Sequence, residues 1–581
     1  MLDYEELVAL ASLDGGWDGQ RYAVSGAPPA LAGKLDRLLT EPFVSNEAYY
    51  AGSKPHRPKD AGLGTTLRAA VWNIERGQEL ERILEAFDAA RDPDARAAFL
   101  ATGVRPDAAD TAAERDELGR QLDALARLDV LVLNEADVGM RRSGYAHVVE
   151  RLAEKLGMNY AYGVEFVEID PIALGLETFA REDFLAADAK TGQLVADESA
   201  EPDTLAAEAA ALTAVDPSRL RNLHGNAVLS RYPILQARLE RLAPRQGCWD
   251  WNRDEKAPRA IAGLAQDFIA AKLFLQKSMR EIRHGGRIAL YVDLLVPGVN
   301  AVGTSLQYVP GERQNVVTVA GIHLEAKSTP SCRRGQMLEA LAHLGDAKNP
   351  VILAGDLNTV GTDGRPMTVE RLLLSRFADP EWIARQLLGR LSPYVGWAFL
   401  ARDVLNWFRL KDDPTGVHIP FLLPNEERGL FDAVEDFAFP DGGRFDFRGD
   451  KSRTVNGTAK TLANSNQRDK KGFKTTFAFA RTLDVGGVTV FGNFKLDWMF
   501  VRGYARAPRD ERASYRMAPH WSRTLEELRD ATAPRLSDHA PMTVVLPLGD
   551  PCPEQSCPSD PEGGLEFGGA SWQDAWAAEG Q

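Results

Sequence analysis

The chain has 581 residues, 44% hydrophobic and 26% charged, a balance that allows a large buried core and excludes disordered or collagen-like classes. Its formal charge is −15, so bulk charge does not draw it to nucleic acid, although a local basic groove still can. Four cysteines are too few for a disulfide scaffold, no Cys–His cluster has zinc spacing, and no stretch is apolar enough to span a bilayer.

The first residues, MLDYEELVALASLDGG, begin acidic and lack a basic, apolar leader, so the chain reads as cytoplasmic. Residues 1–64 read as an N-terminal extension, and residues 65–548 as one catalytic domain with insertions. LRAAVWNI (67–74) is the first predicted strand and leads to Asn73 and Glu75. A helix is predicted over 112–128, where Leu118, Leu122, Leu125 and Leu128 fall at helical spacing. DVLVLNE (129–135) is a strand that delivers Asn134, Glu135 and, just beyond, Asp137. Arg141 and Arg142 behind it read as solvated. YAHVVERLAEKLG (145–157) is a helix closed by Gly157. Residues 165–220, rich in Ala, Asp and Glu, read as an insertion of helical surface.

NAVLS (226–230) and IALYVDLLV (288–296) are further strands. NVVTVAGIHL (315–324) brings His323 and then Glu325. A helix over 332–345 leads to PVILAGDLN (350–358), which brings Asp356 and Asn358. Residues 361–428 read as a second insertion. Within it, 381–410 interleaves Trp and Leu with Arg, and Pro393 divides it into two short helices. Two readings stay open for that segment: apolar faces buried on the sandwich, or a cap at the site that touches an acyl chain or a membrane surface. LDWMFV (496–501) starts with Asp497, and PMTVVLPL (541–548) follows Asp538 and His539. The tail from 549 to 581 reads as disordered, and its Cys552 and Cys557 either pair or stay free.

Polar residues therefore recur at six strand ends, and strand ends of one sheet converge on one rim. Taken singly, each is a turn former or a cap. As an ordered set of carboxylates and imidazoles they are hard to obtain from turns alone. Asp538 and His539 pose a particular question, because adjacent side chains on an extended chain diverge and cannot serve each other.

The motifs WNIERG, NE (134–135), GNAVLSRYPI (225–234), GIHLE, GDLN, LDWMF and SDHAPM resemble, in this order, those of the endonuclease/exonuclease/phosphatase superfamily, which has the deoxyribonuclease-I-like fold. NE stands where members more often have QE, and the Glu is kept. The resemblance implies an α/β (α+β) fold: a four-layer sandwich of two mixed β-sheets flanked by helices, with large helical insertions. It also implies a metal-dependent phosphoesterase that hydrolyses a phosphodiester. Glu135, Asp538, Glu75 and Asn73 would hold Mg²⁺ or Mn²⁺, with Asn73 acting through water; oxygen ligands suit these hard cations. Asp356 would activate the water, and Asn358 would orient Asp356 or donate to the phosphoryl oxygen. His539, backed by Asp497, would stabilise the developing charge, with His323 as a second donor and Asn226 on the substrate phosphate.

The substrate class stays open among lipid, small-molecule and nucleic-acid phosphate esters. A nuclease acting on DNA or RNA is the alternative. A catalytically silent scaffold of the same fold is a third reading, and it would require missing ligands, whereas every expected position is filled.

Overall fold

The computed structural model of the chain describes residues 1–18, 21–105, 112–171, 174, 176, 215–242, 244, 248, 282–299, 315–326, 328–359, 414–416, 425–458, 460–469, 472–483, 488–504 and 513–551. The chain opens with α1 (Tyr4–Ala11), a hairpin of β1 (Asp14–Asp18) and β2 (Arg21–Ser25), and α2 (Pro29–Thr40). Then come β3 (Phe43–Ser45), α3 (Glu47–Tyr50) and β4 (Lys59–Asp60). The first sheet is built on β5 (Gly64–Arg76), β6 (Val130–Val138), β7 (Asn159–Ile169) and β8 (Leu223–Ser230). Helices α4 (Leu80–Ala89), α5 (Pro93–Thr102) and α6 (Ala112–Ala126) separate β5 from β6, and α7 (Val148–Leu156) separates β6 from β7.

The second sheet is made of β9 (Ile234–Arg241), β11 (Ile288–Leu295), β12 (Val316–His323), β13 (Val351–Asp356) and β16 (Asp497–Arg502). β10 (Ile282–Gly285), β17 (His520–Thr524) and β18 (Met542–Pro547) extend the first, with β3 pairing to β7 and β4 to β5. The strand order is β10-β7-β8-β6-β5-β18-β17 in the first sheet and β16-β13-β12-β11-β9 in the second. Each sheet is mixed: β5 and β6 run parallel, as do β12 and β13, while their other partners are antiparallel. A further hairpin pairs β14 (Phe477–Leu483) with β15 (Val488–Phe494).

Alternation along the strands sets the layers. On β5, Leu67, Ala69 and Val71 face the second sheet and meet Val292, Val319, Ile352 and Met499. Ala70, Trp72 and Ile74 on the same strand face outward, under Ile83, Phe87, Leu122 and Leu152 of the covering helices. The outer face of the second sheet is covered by α8 (Pro330–Ala342) and α9 (Arg428–Asp436), around Met337, Phe431 and Trp498. Helix, sheet, sheet and helix give the four-layer sandwich expected.

The local expectations differ in places. Residues 165–169 are the end of strand β7 and not helical surface, and Glu165 and Glu168 are buried there. Arg142 is not solvated: it pairs at 2.6 Å with both Asp137 and Glu168. Cys248 and Cys332 form a disulfide across 84 residues of chain, a pairing the sequence did not suggest. Residues 1–64 pack on the sandwich, with β3 hydrogen-bonded to β7 and α2 lying against it. The insertion segments 177–214 and 361–413, including 381–410, lie outside the described residues, as do Cys552 and Cys557. No helix among the described residues is long and apolar enough to cross a membrane.

Candidate active site

The two parallel pairs bring the ends of β5, β6, β12 and β13 to one rim. Close backbone approach is required there, and the motifs supply it. A Cβ on Gly355 would lie 1.7 Å from the Ile322 carbonyl oxygen of the neighbouring strand, so GDLN needs its glycine. The chain then bends sharply. Glu75, Glu135 and Asn358 adopt left-handed φ values of 47°, 56° and 50°. Such backbone is rare for residues other than glycine, and here it marks the ends of the strands that carry the site.

Asn73 lies at the centre. Its amide nitrogen donates to Glu135 Oε1 at 3.2 Å and to Asp356 Oδ2 at 3.0 Å, and its carbonyl oxygen accepts from the Glu75 backbone at 3.1 Å. Expected among the metal ligands, Asn73 here orients two of the carboxylates at the rim. Asp356 accepts at its other oxygen from the Asn358 backbone N–H at 2.8 Å, and the Asp356 N–H donates to Asn134 Oδ1 at 2.9 Å. The Asn358 side chain itself donates to the Leu324 carbonyl at 2.9 Å.

His539 answers the question of its neighbour. Its Nδ1 lies 2.7 Å from Asp497 Oδ2, across two sheets of the sandwich, and its Nε2 faces Asp356 at 3.8 Å and Asp538 at 3.9 Å. Burial opposes charge on this imidazole, but the Asp497 carboxylate overcomes it and pushes the group up to about 10. The serine of SDH is also explained: Ser537 Oγ donates to the Asn73 carbonyl and accepts from the His539 N–H, while Trp72 Nε1 donates to the His539 carbonyl. These bonds lock the SDH turn to the end of β5.

On the other side of the imidazole the cleft is acidic. Asp538 donates its backbone N–H to Glu75 Oε2 at 3.0 Å. Burial raises both carboxyls above their ordinary range, and each of them, with Glu135, repels the others. Asp538 keeps 33% of its side chain exposed, which tempers burial but not the repulsion. Glu135 goes the other way: burial opposes ionisation, yet His323, Arg76, His224 and the Asn73 amide hold it well below the usual range. Three hard carboxylates crowded at one rim, two of them resisting ionisation, have the donor chemistry and the uncompensated charge that a divalent cation fits. Among the described residues, the grouping whose ligand atoms lie within 4.8 Å of one another is a different one, Asp356, Asp497 and His539. Its His539 Nδ1 and Asp497 oxygen are committed to each other, so this trio reads as a carboxylate facing an ion pair.

His323 presents Nε2 to the cleft, 3.9 Å from both Glu135 and Asp356. Behind it lies a buried network that the sequence did not reveal. Arg287 meets Glu165 at 2.9 Å and Glu325 at 3.1 Å, and one of its nitrogens lies 2.8 Å from His323 Nδ1. Asn226, expected on the substrate phosphate, is fully buried, accepting from Asn134 and donating to Glu165, each at 2.9 Å. In this structure it braces the network beneath the rim. The signal for Arg287 and Glu165 was buried charge, just before β11 in HGGRIAL and on β7 in VEFVEI, which is visible only once the strands are placed.

A sequence profile of the Endonuclease/Exonuclease/phosphatase family matches residues 70–539. Among solved structures, the chain is similar to an endonuclease/exonuclease/phosphatase from Beutenbergia cavernae, at 16% identity over 84% of this chain and 72% of that one, with a TM-score of 0.29. It is similar to a mannosyl-6-phosphatase from Bacteroides thetaiotaomicron at 12% identity, over 82% and 98% of the two chains, with a TM-score of 0.29. It is also similar to a 3'-5' exonuclease from Neisseria meningitidis at 11% identity, over 82% and 98%, with a TM-score of 0.29. No curated protein matches the chain.

Proposed function

The chain belongs to the Endonuclease/Exonuclease/phosphatase family, whose members hydrolyse phosphate esters, and from that premise we propose that it is a divalent-metal-dependent phosphodiester hydrolase. The observation that carries the reading is the meeting of Asp356, the His539–Asp497 pair and the Glu75–Glu135–Asp538 cluster on one rim. Glu135, Glu75 and Asp538 would hold Mg²⁺ or Mn²⁺. When bound, the cation supplies positive charge to the phosphoryl oxygens, which otherwise repel an attacking water.

Asp356 takes the proton of that water. Burial and the nearby Asp497 raise its proton affinity above the ordinary carboxylate range, against the pull of His539 and His323, which suits a base. The Asn73 amide and the Asn358 and Asn134 contacts fix its orientation. The water oxygen then bonds to phosphorus as the bond to the leaving oxygen breaks. His539, kept charged by Asp497, donates from Nε2 to the phosphoryl group as charge develops there. His323 Nε2 faces the same space and donates to the phosphate or the leaving oxygen.

The test is release of nitrophenol from bis-(p-nitrophenyl) phosphate, followed by a panel of DNA, RNA, phospholipid and small diesters. Turnover on at least one of them by wild type, and its loss in Asp356→Asn, is the expected result. Equal turnover by the two proteins removes Asp356 from the reaction.

A further inference from the structure

We propose that the outer face of the first sheet carries a second, anion-binding cavity that takes a nucleoside di- or triphosphate. The cavity holds about 490 Å³, inside the range of roughly 300–1,000 Å³ for small-molecule sites. Its floor crosses three strands. Arg68 of β5 lies opposite Val545 of β18, and Thr543 of β18 lies opposite Arg523 of β17. One wall is the end of α6 and the residues after it, with Arg120, Asp123 and Arg127; Trp521 and the 454–455 turn form the other. Farther along β5 the same face carries Ala70 and Trp72 under helices, as a covered sheet face should. Here it carries arginine and threonine and opens to solvent.

Charge points to the ligand. Four guanidinium groups line one cavity in a chain whose formal charge is −15. Arg68 pairs with Asp60 at 2.6 Å, and Arg120 with Glu117 at 2.7 Å. Asp123, the one acid in the lining, is already paired with Arg96 at 2.6 Å. Among the described residues, Arg127 and Arg523 make no side-chain hydrogen bond or ion pair; Arg523 feels the Glu117 carboxylate only at longer range. The lining is therefore net positive, with guanidinium donors to spare for phosphate oxygens.

Trp521 points to the rest of it. Its φ is 50°, uncommon for any bulky side chain, and the pairing of β17 with β18 slips between His520 and Arg523. Such a bulge re-aims a side chain, and strained backbone gathers where a side chain must be presented. The indole N–H donates to the Ser452 carbonyl at 3.2 Å, which holds the half-buried ring at the cavity edge. A fixed aromatic face beside uncommitted arginines suits a flat base with its phosphates on the guanidinium groups. Arg68 precedes Asn73 by five residues on β5, about 16 Å at ~3.3 Å per residue, so this site is separate from the catalytic rim and independent of the reaction assigned there.

Calorimetric titration of the full chain in EDTA with ADP, pyrophosphate and adenosine tests the proposal. ADP is expected to bind more tightly than either fragment. The exposed pair Arg127→Glu/Arg523→Glu is expected to weaken ADP by at least about tenfold at unchanged Tm, as lost charge-assisted bonds require. Asp356→Asn is expected to keep full ADP affinity. Trp521→Leu, where it folds by Tm, is expected to weaken ADP and leave pyrophosphate unchanged; the arginine pair decides the matter in any case. No heat at about 1 mM ADP, unchanged affinity in the arginine variant, or loss of binding in Asp356→Asn overturns the site. Pyrophosphate binding as tightly as ADP overturns its assignment to a nucleotide.

Discussion

His539 uses its two nitrogens for two tasks, one toward Asp497 at 2.7 Å and one toward the cleft. Replacing it with Ala, or Asp356 with Asn, is expected to lower kcat by about 10²–10⁴, the range for a general base or a charge-stabilising donor. Asp497→Asn keeps the imidazole and acts through its orientation and charge and through the field on Asp356, so its loss is expected to be smaller than that of His539→Ala; a lossless Asp497→Asn beside an inactive His539→Ala contradicts the pairing. The pair also sets a pH window for stability. His539 is raised to about 10 in the folded chain, from about 6.5 for a free imidazole. The folded state therefore favours the charged form. That stabilisation is complete below about pH 6.5 and is lost as pH rises through about 10. The Tm gap between wild type and Asp497→Asn is expected to be widest near pH 6 and to close toward pH 10; a constant gap removes the charge from the account. Asp497 and His539 were legible together because their motifs keep a known order. Arg287 and Glu165 were not, since a charged residue in a strand or next to one reads as solvent-facing until the sheet partners are known.

The elements deliver these groups by bending at their ends. Gly355 allows β13 to approach β12, and a methyl group there meets the Ile322 carbonyl at 1.7 Å. Gly355→Ala is expected to cost about 1–3 kcal/mol in urea unfolding, as overpacked sites do, and to lower activity with it. An unchanged midpoint contradicts the close approach. The Cys248–Cys332 bond closes a long loop onto the first turn of α8. Cys332→Ser is expected to cost about 2–4 kcal/mol by loop entropy, and two thiols titrating in the unreduced, denatured wild type beyond those of the tail contradict the bond. Long apolar strands and the helices at 112–128 and 145–157 were plain from periodicity. β7 was not: NYAYGVEFVEI carries two glutamates that face a buried network, so its alternation does not separate core from solvent. β17 was too short and too polar to read, because its bulge breaks the period.

At the scale of the molecule, two mixed sheets packed face to face build one acidic rim. The shape of the sandwich was legible because ordered motifs fix a topology; the packing of residues 1–64 was not, since β3 is three residues long. With the cation proposed for it, a rim of mutually repelling carboxylates would make metal binding a folding term. Mg²⁺ or Mn²⁺ at 100 times its Kd is expected to add about 2.7 kcal/mol to the unfolding free energy, EDTA to remove it, and Glu135→Gln to weaken the effect. The most direct measurement is hydrolysis of bis-(p-nitrophenyl) phosphate by the full chain, in EDTA and after readdition of Mg²⁺ or Mn²⁺, for wild type and Asp356→Asn. Turnover that vanishes in EDTA, returns with the cation and is absent from Asp356→Asn is the expected result. Undiminished turnover in rigorously metal-free protein, or in Asp356→Asn, contradicts the assignment of this rim.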